Sequence, residues 1–235
     1  MIDRINNIFI FFFLSIPILL ITGPALPDIV ISFGAIFTLI YIFLNKKYLE
    51  LKNDRFVQIS ILFWLSLIFI SFFSLNKEKS FQDAIIFLRL LLIPVGCYFI
   101  FFKNYKILNY LFFIIFLTVI FVSVDTLYQF LNYNSEKGFG SDIFGFKSDW
   151  YGRLTGPFGN ELVPGSYVSK FGLIGFVYLL KYKKLYKNIP VLSIYLSMIL
   201  IVTFISGERM AFATFTLCFL VLLFFLNKKR LTILI

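Results

Sequence analysis

Trp150–Tyr167 reads WYGRLTGPFGNELVPGSY, a polar stretch punctuated by glycine and proline that carries Arg153, Asn160 and Glu161. At Leu162 it passes into an apolar run that continues to Leu180. Pro164 falls near the first turn of the helix that this run predicts, where a missing N–H costs nothing. A polar loop pressed against the start of a long apolar helix is where an integral membrane protein can place chemistry. Elsewhere the sequence is mostly a succession of Phe, Leu and Ile runs.

Of the 235 residues, 60% are hydrophobic, 21% aromatic and only 14% charged. Soluble domains average about 45–50% apolar and about 25% charged residues. The apolar runs approach the roughly 20 residues needed to cross a bilayer as a helix. The expected fold is therefore all-α, a polytopic transmembrane bundle forming a single integral membrane domain over residues 1–235. The net charge of +10 sits in short loops between runs, so a nucleic-acid partner is not expected. Histidine is absent, which removes the commonest general base and metal ligand together. Cys97 and Cys218 lie inside apolar runs and read as packing residues, without disulfide or metal-ligand spacing. The glycines between Gly138 and Gly145 follow no strand and do not read as a phosphate loop.

Eight spans are expected. The first two, about 8–21 and up to Leu44, are joined by a tight turn containing Gly23, Pro24 and Pro27. A basic loop over 45–55 precedes a third span at about 56–75. A fourth covers about 81–102, started by a capping box of Ser80 and Asp83, and a fifth about 107–130. The connection 131–161 is the longest in the chain. Spans follow at 162–180, at 189–205, and from the Ser206–Arg209 turn to about Leu226. Leu231–Ile235 reads as the opening of a ninth. With a cytoplasmic N-terminus, cytoplasmic segments hold 14 of the 22 Lys and Arg residues and outer ones 6, as the positive-inside rule demands. This places 131–161, the longest periplasmic loop, on the same outer face as the Ser206–Arg209 turn.

A few residues can carry chemistry. Arg89 lies well inside the fourth span, where an arginine costs on the order of 2.5–3.5 kcal/mol and needs a partner or a polar cavity. Asp125 is one candidate partner; a functional role is the alternative. Arg153 and Arg209 each stand beside a predicted helix N-terminus, with Ser206 as a candidate cap. A helix N-terminus binds phosphate oxygens, and a nearby arginine is unfavourable there without an anion. Two guanidinium forks on one face suit a diphosphate; pairing with Glu161, Glu208 or lipid headgroups is the competing reading. Glu161 and Glu208 are the candidate general bases, or else structural partners of the arginines. Lys170 can snorkel to the interface. Gly165, Ser166, Ser169, Gly172 and Gly175 make the sixth span small enough for close helix packing.

The segment from Arg153 to Asn160, RLTGPFGN, followed by Gly165, Ser166 and Tyr167 at the head of a span, resembles the signature of the O-antigen ligase and O-antigen polymerase superfamily. Ser206–Ala211, SGERMA, is similar to that family's short Ser/Arg/Gly/Ala turn, in a different order. The resemblance implies transfer of a glycan from undecaprenyl diphosphate to a glycan or lipid acceptor, in lipopolysaccharide or other surface polysaccharide assembly. The resemblance further implies a reaction at the periplasmic face of the bacterial inner membrane, among membrane lipids, without nucleotide sugar, metal or other cofactor. Under it Arg153, Arg209 and Arg89 hold the diphosphate, supported by Gly156, Asn160, Gly165 and Ser166. The family's ligases add a catalytic histidine in a late periplasmic loop and have more spans. The expectation is thus a C-terminally truncated member without an assigned base. Competing readings are a lipid or glycan transporter or flippase, with Arg89 and Lys170 lining its path, and a non-catalytic membrane remnant. A transporter predicts broken helices in matching halves, and no such symmetry is visible.

Overall fold

The computed structural model describes residues 2–100, 105–132, 138, 140–148, 152–181 and 189–226. Trp150, Tyr151, the basic segment after Lys181 and the expected ninth span lie outside them. Among the described residues the architecture is helical, apart from one antiparallel β-bridge between Ser141 and Lys147. The helices are α1 (Ile2–Leu19), α2 (Ala25–Leu44), α3 (Tyr48–Leu51), α4 (Arg55–Ser71), α5 (Lys77–Ile100), α6 (Tyr105–Leu131), α7 (Pro164–Lys181), α8 (Ile189–Ile205) and α9 (Arg209–Leu226). Three segments among the described residues are long and apolar enough to cross a membrane: Ala25–Leu44, Lys77–Tyr98 and Lys106–Leu131. Ile10–Thr22, Arg55–Ser71, Pro190–Ile205 and Arg209–Leu222 are shorter apolar helices.

Local chemistry sets the boundaries. A 3₁₀ turn at Leu20–Thr22 and Gly23 at φ +105° separate α1 from α2. The Asp54 carboxylate caps α4, accepting from the Phe56 and Val57 N–H groups at 2.8 and 3.3 Å. At α5 the expected capping box is displaced by four residues. The Asn76 side chain accepts from Lys79 N–H at 3.3 Å, so the helix starts at Lys77 and Ser80 lies within its first turn. Asn76 satisfies an orphan amide of the first turn earlier than Ser80 can. Pro164 opens α7, as its missing N–H favours.

The chain divides into two compact units, Met1–Ile16 with Ala25–Leu108 and Pro17–Pro24 with Asn109–Ile235. In the first, α5 packs against both α2 and α4, and Trp64 Nε1 donates to the Ala84 carbonyl at 2.9 Å. Ile42 and Val95 form a small core with Tyr41, Leu51 and Val57. In the second unit α7, α8 and α9 pack pairwise around a core that includes Val119, Val168, Ile199, Val202 and Phe215. Gly172 lies against Ile199, and Gly175 against Tyr195, whose hydroxyl donates to the Gly172 carbonyl at 3.0 Å. The small face of α7 is thus a packing surface, as a helix–helix seam in lipid requires.

Outside these apolar cores, many large apolar side chains face outward. Phe33, Phe43, Ile59, Leu62 and Phe69 in the first unit, and Ile194, Phe204, Leu217 and Leu220 in the second, are each more than half exposed. Thr118, Ser123, Asp125, Thr126 and Gln129 of α6 are buried. Apolar side chains outward and a polar stripe inward match an apolar surrounding medium. Cys97 is partly buried, whereas Cys218 is exposed on α9 rather than packed inside.

Candidate functional site

The loop before α7 is held from below by α6. Gln129, fully buried, faces the loop and its side chain imitates a backbone partner. Its Oε1 accepts from the N–H groups of Thr155 and Gly156 at 3.0 and 2.8 Å, and its Nε2 donates to Thr155 Oγ1 at 3.0 Å. Gly156, at φ +52°, is required here because a Cβ would stand 2.6 Å from Thr126 Oγ1. One helical turn earlier, Asp125 Oδ1 accepts from Ile143 N–H at 2.8 Å. The Asp142 carboxylate closes the same turn on itself, accepting from Phe146 N–H at 2.6 Å. Residues 141–147 therefore form a tight turn in which the Ile143 and Phe146 amides meet the protein's own acids.

The counter-ion of Arg89 is Asp28 rather than the candidate Asp125. Arg89 belongs to the first unit, where its guanidinium grips Asp28 through two bonds, Nη1 to Oδ2 at 2.8 Å and Nη2 to Oδ1 at 2.6 Å. Nη1 also donates to Ser32 Oγ at 2.7 Å. A carboxylate in the first turn of α2 is well placed by the helix dipole, which makes Asp28 the better counter-ion. Arg89 is not among the residues that line the cavity described next.

Arg153 and Arg209 come together. With Gly152, Gly207, Glu208 and Met210 they line a cavity of about 510 Å³, inside the roughly 300–1,000 Å³ range of small-molecule sites. Two contacts hold its walls in register. Leu154 N–H donates to the Ser206 carbonyl at 3.3 Å, and Ser148 Oγ to the Arg153 carbonyl at 2.6 Å. Gly207, at φ +77°, passes so close to the Gly152 carbonyl that a Cβ would collide with it. Among the described residues neither arginine has a carboxylate within ion-pair distance. The Arg153 Nε is buried without a hydrogen-bond partner among the described residues. Arg209 is the first residue of α9 and is exposed. Arg153 and Arg209 against Glu208 leave the lining with a net positive charge beside the start of α9, a setting that favours an anion.

The acids divide. Glu208 lines the cavity, but its carboxylate is turned to the start of α7, where Oε1 accepts from Ser166 N–H at 3.1 Å and Oε2 from the Ser166 hydroxyl. The α7 N-terminus, read from sequence as a phosphate cradle, thus already holds an internal carboxylate at Ser166. Gly165 permits this approach, since a Cβ there would crowd Ser206 and stand 3.0 Å from Glu208 Oε1. Ser206 Oγ accepts from Glu208 N–H at 3.4 Å, a long capping contact. Glu161 and Asn160 are exposed and lie outside the cavity lining, as does the exposed Lys170. Gln129 carries a signal readable in the sequence, because a polar side chain deep in an apolar run demands a partner. No protein-family model, no curated protein and no solved structure matches this chain.

Proposed function

We propose that this chain is an O-antigen ligase/polymerase-type membrane glycosyltransferase that binds a glycan-bearing undecaprenyl diphosphate in the Arg153–Arg209 cavity. The reading takes eight spans with a cytoplasmic N-terminus and sets the cavity at the periplasmic face of the bacterial inner membrane. One observation carries it: Arg153, whose Nε is buried without a partner among the described residues, and the exposed Arg209 line the same cavity. A diphosphate supplies the missing acceptors, and each guanidinium can bind it bidentately. During transfer, negative charge builds on the leaving diphosphate, and fixed guanidiniums stabilise it without reorganising. Glu208 holds the α7 end of the cavity through Ser166, a positioning role. Glu161 is exposed and no base is assigned.

The test is reconstitution of the full chain with undecaprenyl-diphosphate glycan, comparing parent, Arg153→Ala and Arg209→Ala for donor binding and for transfer. Each substitution is expected to weaken donor binding about tenfold or more, the scale of one lost charge-assisted contact. Equal binding by parent and both variants would sink the diphosphate site. Binding without transfer in the parent would leave a donor-binding protein rather than an enzyme.

A further inference from the structure

The first unit holds a second cavity, unrelated to the arginine pair. It measures about 840 Å³ and lies among α2, α3, α4 and α5. Leu39, Ile42, Leu62, Leu88, Leu91 and Val95 supply much of its wall. It is open on one side rather than enclosed, so it takes its contents from the surrounding medium. Water is a poor occupant, because ordered water needs two to four polar partners and the wall offers few. Two of its walls, α2 and α5, contain segments long and apolar enough to cross a membrane, so hydrocarbon chains are the available filler.

One end of the cavity is not apolar. Tyr48, Lys52 and Gln58 line it there, in the loop that also carries Lys46, Lys47 and Arg55. Gln58 Nε2 donates to the Lys52 carbonyl at 2.9 Å, which ties the loop to α4 beside the opening. The acids of this loop are engaged locally: Glu50 pairs with Lys47 and Asp54 caps α4. Lys46, Lys52 and Arg55 are exposed. An apolar chamber with a cationic rim has the polarity of an anionic phospholipid, whose chains fill the chamber while its phosphate meets the lysines. We propose that this cavity is a binding site for an anionic phospholipid, with Lys52 and Tyr48 at the headgroup and Leu88, Leu91 and Val95 against the chains.

Native mass spectrometry of the purified full chain in detergent, titrated with dioleoyl phosphatidylglycerol or dioleoyl phosphatidylcholine, tests it. The parent is expected to retain phosphatidylglycerol at least tenfold more tightly. Lys52→Glu, an exposed and structurally mild change, is expected to abolish that preference while chain binding persists. Leu91→Trp, or Leu91→Phe should the larger ring prevent folding, is expected to weaken both lipids together. Equal retention of the two lipids by the parent overturns the proposal, as does an undiminished preference in Lys52→Glu. Lipid-independent dimers that vanish on filling the cavity would overturn it in favour of a second copy of this chain.

Discussion

Glu208 and Ser166 bind each other twice: one carboxylate oxygen accepts the Ser166 N–H at 3.1 Å and the other the Ser166 hydroxyl. The residue preceding α9 therefore caps α7. The dipole of α7 meets a carboxylate that its own loop does not supply, and the two helix starts become one rigid corner beside Arg153 and Arg209. Glu208→Ala removes the cap and is expected to cost about 1–2 kcal/mol. In thermal unfolding in detergent this is a Tm lower by about 2–4 °C per kcal/mol. Glu208→Gln, which keeps one acceptor, should lie between parent and Ala. Indistinguishable melting of all three would remove the corner from the account.

Gln129→Leu tests the pin beneath the loop. It strands the Thr155 and Gly156 N–H groups in a buried site, at about 1–3 kcal/mol for each unsatisfied group. Hydrogen exchange at those two amides should accelerate more than at the α7 amides, because the loop opens locally before the helix does. Uniform acceleration across α7 would show global destabilisation instead.

Two glycines with similar backbone angles should respond differently to alanine. Gly145 has φ +91° and open space around its Cβ position, whereas at Gly207, φ +77°, a Cβ meets the Gly152 carbonyl and the Arg153 side chain. Gly145→Ala costs only the left-handed strain, about 1–2 kcal/mol. Gly207→Ala adds a backbone collision and must separate the cavity walls. Donor or inorganic diphosphate binding is expected to fall in Gly207→Ala and to hold in Gly145→Ala. Equal binding by the two variants argues against the cavity.

Arg89 and Asp28 should show compensation. Asp28→Ala leaves a guanidinium within a candidate membrane span without its counter-ion, whereas Arg89→Met removes the charge itself. The pair is partly exposed, with Arg89 at 28% and Asp28 at 53%, so the coupling is expected near about 1 kcal/mol rather than a buried-pair value. Unfolding of the two single variants and the double variant yields that coupling. Additive effects would mean the fork contributes nothing.

The proposed orientation has a direct check. In a Cys97→Ala, Cys218→Ala background, Lys147→Cys should react with an impermeant maleimide in intact cells. Lys52→Cys should react only after permeabilisation. The reverse pattern inverts the topology.

Much of the helical layout was legible because apolar periodicity and length are local properties. The predicted seventh span, 189–205, coincides with α8, and α7 opens at Pro164 as its φ preference requires. The α5 boundary was misplaced because Asn76 and Ser80 are both competent caps, and the choice depends on where the chain turns. Arg153 and Arg209 stood out as cations beside helix starts, and the structure does bring them together. Gln129 was missed since its three bonds reach a loop distant in sequence.

By itself the sequence determined an all-helical chain rich in membrane-length apolar runs, with arginines at two helix starts. Length, hydropathy and capping chemistry act within a few residues, so each could be read from the linear order. Tertiary structure alone decided the partners. Arg89 took Asp28 as its counter-ion, Glu208 turned to Ser166 rather than to an arginine, and Arg153 kept a buried donor without an acceptor among the described residues. Opposite charges attract whichever partner packing brings within a few ångströms, and that distance is written only in the fold.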